Sequence, residues 1–175
     1  MAKRSGKPAA VDMAHEISEN GNIVVERWGV RAELIPVPIG VLDEAESRID
    51  MPPVPIVTNE AEGTEFENPS DPHYLDAIEK AKRQRGIAAI EAMSLFGVNL
   101  LDGLPQTDDW LKKLKFYEKR GHMDLSWVDW NDDTEVEFVF VRYAFLTMDD
   151  VTQLGLMSRL TQEELQRAAD SFRGQ

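Results

Sequence analysis

The sequence predicts an α+β chain, mainly α, with a small N-terminal β-hairpin and a helical C-terminal bundle. Three observations lead there. A β-branched run and an alternating run flank Trp28-Gly29 near the start. Apolar residues recur at helical spacing through most of the chain after Asp71. Helix-start signals of the Asp-Pro, Asp-Asp-Thr and Thr-x-x-Glu kinds punctuate that second part. Four regions follow: a disordered tail over 1–20, a hairpin plus short helix over 21–50, a proline-rich acidic linker over 51–71, and a helical domain over 72–175.

The tail mixes Lys3, Arg4 and Lys7 with alanines and polar residues, and no apolar run stands behind the basic ones, so it does not read as a secretory signal. Asn20-Gly21-Asn22 is a turn cluster. Ile23, Val24 and Val25 then form a β-branched run, while Val30, Ala32 and Leu34 alternate with Arg31 and Glu33. This is the period of a half-buried strand, so the hairpin is expected over 22–27 and 30–36, reversing at Gly29. Trp28 at the turn either caps a small core or is offered to a partner.

Pro36 and Pro38 end the second strand, because proline cannot donate to a ladder. Leu42, Ala45 and Ile49 share one helical face, predicting a helix over 39–50. Pro52-Pro53-Val54-Pro55 is stiff and polyproline-like, a spacer or a docking ligand. The acidic stretch behind it carries Glu60, Glu62, Glu65 and Glu67. The Asp and Asn ligands and central glycine of a calcium loop are missing, so no metal is expected there.

Asp71-Pro72 opens the longest helix, with Asp71 as N-cap and Pro72 where its missing N–H does no harm. Tyr74, Ile78, Ala81, Ala88, Ala92, Leu95 and Phe96 are read as its apolar face, and Gly97 as its C-cap. At 1.5 Å per residue the span 72–96 is about 38 Å long. The Lys80–Arg85 cluster reads as a solvated face paired with the acidic loop before it. Thr107 is expected to cap a helix over 108–119 bearing Trp110, Leu111, Leu114 and Tyr117, which Gly121 stops. Trp127 and Trp130 are three apart, either stacking on a sugar or base or, as paired aromatics more commonly do, packing a loop onto a helix.

The run VEFVFVRYAFL over 136–146 fits both strand and helix periods. The cap signal at Asp132-Asp133 and the length of the run favour a buried helix. Thr147 starts another helix with Val151, Leu154 and Met157 inward, and Thr161 to Glu164 forms a capping box for a last one.

Chemistry is sparse. The absence of cysteine removes disulfides, thiol catalysis and cysteine-ligated metals. His15, His73 and His122 lie far apart in sequence, and no phosphate-binding loop or nucleophile elbow occurs. A net charge of −13 repels phosphate backbones and anionic lipid, and no stretch approaches the ~20 apolar residues of a membrane span. The sequence predicts a soluble non-enzyme without cofactor or metal, not partnered by nucleic acid or membrane. Candidate partner-binding residues are Trp28, Pro53, Val54, Trp127 and Trp130, with the working surface expected in the front half, and self-association is open.

Pro52-Pro53-Val54-Pro55, Ser70-Asp71-Pro72, the Tyr74 to Arg85 helix, and the block from Val141 to Asp150 with Leu160 to Glu164 and Ala169 to Arg173 stand in a distinctive order. In this the chain resembles proteins encoded in the tail-morphogenesis region of tailed bacteriophages. Arg31 to Pro38 is similar to the strand-then-helix opening of tail assembly chaperones. The resemblance spans about residues 22–173. It implies a non-catalytic phage tail protein, foremost a chaperone that keeps the tape-measure or tail-tube protein soluble in the host cytoplasm. The alternative it leaves open is a structural subunit of the virion.

Overall fold

The computed structural model describes residues 16–59 and 63–159. Among the described residues, five α-helices and two antiparallel sheets give an α+β architecture. The first sheet has the order β1 (Glu16–Ile17), β2 (Ile23–Arg27), β3 (Val30–Leu34), β6 (Val98–Leu100), and the second is a two-stranded ribbon of β4 (Ile56–Asn59) and β5 (Thr64–Glu67).

Strands β2 (Ile23–Arg27) and β3 (Val30–Leu34) form the expected hairpin, with Arg27 opposite Val30 and Ile23 opposite Leu34. Only Trp28 and Gly29 join them, and both have positive φ, 59° and 71°. A two-residue turn of this hand matches the right-handed strand twist, which explains the glycine. Ile23, Val25, Ala32 and Leu34 all belong to the core or pack against it, so one sheet face is apolar, as the alternation required.

In the first sheet two strands were not foreseen. Glu16–Ile17, inside the stretch expected to be tail, is β1 and pairs with Val24 and Ile23. Val98–Leu100 is β6, antiparallel to β3, with Leu34 opposite Val98 and Ala32 opposite Leu100. Residues of the region read as a helical domain therefore complete the hairpin's sheet, and one core runs from Val25 to Leu154.

Helix α1 (Ile39–Ser47) lies against α2 (Pro72–Phe96). Asp71 caps α2 as expected, accepting from the backbone N–H groups of His73 (2.9 Å) and Tyr74 (3.0 Å). The buried residues of α2 are Ala81, Ala89, Ala92, Met93 and Ser94. Leu95 and Phe96, expected on the core face, are instead 53% and 58% exposed. At 100° per residue, positions 92, 93, 95 and 96 span about 160° of the helix surface, more than one neighbouring layer covers. Gly97 does cap α2, but at φ −103° rather than in the left-handed region. Glycine is needed for closeness: a Cβ would stand 2.7 Å from the Met93 carbonyl oxygen and 3.0 Å from Val37 Cγ2.

The linker read over 51–71 contains β4 (Ile56–Asn59) and β5 (Thr64–Glu67), turning through Gly63 at φ +64°. In the basic cluster of α2, Arg85 donates to the Ile49 carbonyl (2.8 and 2.9 Å) and so covers the end of the α1 region. Arg83 pairs with Glu79 one turn earlier in α2 (3.2 Å).

Helix α3 (Asp109–Lys119) starts one residue later than expected, with Asp108 rather than Thr107 at its N-cap. Trp110 and Leu114 are its buried pair, and the Trp110 ring meets Phe140 edge-on at 5.0 Å. The ambiguous run is helical: α4 (Asp133–Phe140) begins at the Asp132 cap and continues into a π-helical turn, Val141–Phe145. That turn closes with the Leu146 N–H donating to the Val141 carbonyl, five residues back (3.0 Å). Helix α5 (Met148–Arg159) follows, with Leu154 fully buried. The capping box at Thr161–Glu164 lies outside the described residues.

Candidate functional site

The five residues named from the sequence do not form one site. Trp28 is half-buried, and its indole N–H donates to the Ala144 carbonyl (2.9 Å) while Lys113 lies 4.3 Å above its ring. Trp130 is also half-buried, with Lys115 5.2 Å from its ring. Trp127 is half exposed; its indole donates to the Asp124 carbonyl (3.1 Å) and its ring lies 6.1 Å from Phe138. Pro53 is exposed and Val54 half-buried on the segment between α1 and β4. Trp28 and Trp130 thus meet lysines of one helix, α3, and Trp127 meets α4.

The exposed apolar surface gathers elsewhere. A solvent-open groove of about 600 Å³ runs between α1 and α2, floored by Val41, Ala45, Ala88 and Ala92 and walled by Leu95 and Phe96. Small residues make it: alanines on facing helices leave a trough where larger side chains would interlock. Beyond Leu95, two smaller depressions of about 170 and 190 Å³ continue toward α4, where Phe138 lines both. Carboxylates rim the whole, Glu44 and Glu91 on one side and Asp133, Glu135 and Glu137 on the other. Arg48 is the cation among the lining residues, and it is already paired with Glu44 at 3.3 Å. Sequence reasoning missed Leu95 and Phe96 because it assigned them to the core. The signal was their crowding beside Ala92 and Met93.

Chemically reactive pairing occurs away from this groove. The Thr147 hydroxyl donates to Asp150 Oδ2 (2.6 Å), and so does the Thr147 backbone N–H (2.7 Å). The Asp150 N–H returns a bond to the Thr147 hydroxyl (3.3 Å). Arg27 clasps the same carboxylate at 2.8 and 3.2 Å, and Asp150 is 1% exposed. A hydroxyl so held is a helix cap inside an ion pair, not a nucleophile beside a base. Arg27 also donates to the Phe145 carbonyl (3.4 Å), so the hairpin turn satisfies two carbonyls at the end of the π-turn.

On the surface, Arg31 grips Asp102 through its side chain (3.1 Å twice) and backbone N–H (3.0 Å). Those bonds hold the Asp102 carboxyl below the usual carboxylate range and push the Arg31 guanidinium up. Asp124 is likewise held low by its bonds from Ser126, which fixes the loop that carries Trp127. Among the described residues no three His, Asp or Glu side chains are placed to share a metal ion, and no helix is long and apolar enough to cross a membrane. Glu60 and Glu62 lie outside the described residues.

Comparison with family models, with curated proteins and with solved structures found no match to this chain.

Proposed function

We propose that this chain is a non-enzymatic assembly protein of bacteriophage tails, a chaperone that holds an amphipathic helix of the tape-measure or tail-tube protein in the groove between α1 and α2. The observation that carries this reading is the exposure of Leu95 and Phe96 over a floor of alanines. A helix-in-groove partner lays apolar residues at i, i+3 and i+4 spacing into such a trough. The order of short motifs from Pro52 to Asp150 that resembles tail-region proteins supplies the biological class. In this reading α2, α4, the π-turn and α5 act as a helical bundle that presents the groove, and Asp133, Glu135 and Glu137 keep the adjoining depressions hydrated while it is empty.

Co-purification with the tape-measure protein tests it, using Leu95→Glu and Phe96→Ser. Both positions are more than half exposed, so the variants leave the fold intact. Capture by the native chain and its loss in both variants is the expected result. Native chain that retains neither tape-measure nor tube protein ends the proposal. Mass spectrometry of purified virions separates the two roles: a chaperone is absent, whereas a structural subunit is present in stoichiometric amount.

A further inference from the structure

Helix α3 has a second, solvent-exposed face. Trp110 and Leu114 point into the core, while Phe116 is 60% and Tyr117 50% exposed. Lys112, Lys113, Lys115, Lys119 and Arg120 surround these rings and are all exposed. Lys113 and Lys115 lean over Trp28 and Trp130, and Lys112 pairs with Asp109 at 3.0 Å, which leaves Lys119 and Arg120 beside the aromatic pair. On a chain of net charge −13 this is a basic, aromatic ridge. The apolar surface that runs from the α1/α2 groove past Leu95 to α4 has the opposite character: Glu44, Glu91 and the Glu44-paired Arg48 line the groove, and Asp133, Glu135 and Glu137 line the depressions that adjoin it. No described residue lines both surfaces.

We propose that the ridge of one copy, led by Phe116 and Tyr117, docks into the acid-rimmed groove of a second copy, so that the chain self-associates head to tail. The occupant the groove calls for is an amphipathic helix with exposed apolar residues and positive charge, and α3 is such a helix. Net repulsion opposes every pairing of two such acidic chains, and the local attraction between basic ridge and acidic rim offsets it in this one orientation. The magnitude points to a weak complex. Two aromatic side chains bury about 150–250 Å² each, well below the roughly 800 Å² per partner of a standard interface. Because ridge and groove differ, the contact is heterologous, and each bound copy still offers one free ridge and one free groove. The proposal stands on these two surfaces and does not need the tail-assembly reading. A tape-measure helix that uses the groove would displace the second copy, which links release of the self-associated form to partner binding.

Sedimentation of the full chain tests this at up to about 100 μM, where a micromolar interface is nearly filled. The expected mass rises with concentration in low salt and returns toward monomer at about 0.5 M salt, where exposed charges are screened. Phe116→Glu spoils the ridge and Leu95→Glu spoils the groove, so each alone is monomeric. An equimolar mixture of the two regains a dimer and nothing larger, since one intact ridge meets one intact groove. Exposed charge reversals, Lys119→Glu and Glu91→Lys, repeat the mixing test without touching an apolar residue. A native chain that stays monomeric throughout overturns the proposal, as does association indifferent to salt or a mixture that stays monomeric while the native chain associates. Self-association that persists while tape-measure capture fails overturns the tail-assembly reading alone.

Discussion

The β2-β3 hairpin and the β4-β5 ribbon are both antiparallel pairs that begin on Ile-Val, yet the molecule treats them in opposite ways. In the hairpin Val25, Val30, Ala32 and Leu34 are buried, and β6 extends the sheet on its second edge. In the ribbon every residue but Asn59 is exposed, with Ile56 at 65% and Phe66 at 53%. Alternation and β-branching select a strand, but only burial against other elements stabilises one, since two strands alone are marginal in water. The hairpin is also pinned by its turn: Arg27 and Trp28 reach residues more than a hundred positions away.

The largest effect should come from removing that pin. Arg27→Ala leaves the Asp150 carboxylate enclosed without its cation, and an uncompensated buried charge costs about 3–5 kcal/mol. Urea unfolding at neutral pH measures this, and a loss under 1 kcal/mol would mean that the ion pair is dispensable. Next comes Trp28→Gly. Glycine suits the left-handed turn better than tryptophan, so any loss reports tertiary contacts. The freed Ala144 carbonyl sets it at about 1–3 kcal/mol. Thermal unfolding that improves instead would show the turn to be strained and its indole contact idle.

In the ribbon, Phe66→Ser should move stability by no more than about 0.5 kcal/mol, as exposed substitutions do. A larger drop would reveal packing that the comparison denies. The smallest effect belongs to the surface pair that ties β3 to the end of β6. Because Asp102 binds a proton less readily folded than unfolded, its stabilisation is present above the unfolded carboxylate value near 4 and is lost as pH falls through the lower folded one. The stability difference between the native chain and Asp102→Asn should therefore shrink below about pH 4 and vanish in stronger acid. A difference constant from pH 7 to 2 would assign it to something other than the carboxylate.

Much of the fold was legible because its signals are local. The hairpin follows from the alternation around Trp28-Gly29, and α2 from Asp71-Pro72. Of the candidate partner residues, the sequence could name exposed-looking tryptophans but not see that lysines of α3 cover two of them. The groove was illegible for the same reason. A stripe of alanines reads as core packing, and Leu95 and Phe96 read as its continuation, until the positions of α1 and α4 show that no described residue covers them.

What the sequence determined by itself is where helices start and which residues favour strands. A cap is satisfied within three residues, as Asp132 shows with Thr134 and Glu135 and Thr147 with Asp150. The tertiary structure alone decided which strand joins which sheet, how α4 runs over into a π-turn, and which apolar residues stay outside. Those outcomes depend on partners brought together from distant parts of the chain, Arg27 with Asp150 and Val37 with Ser158 among them, and no local pattern encodes such a meeting.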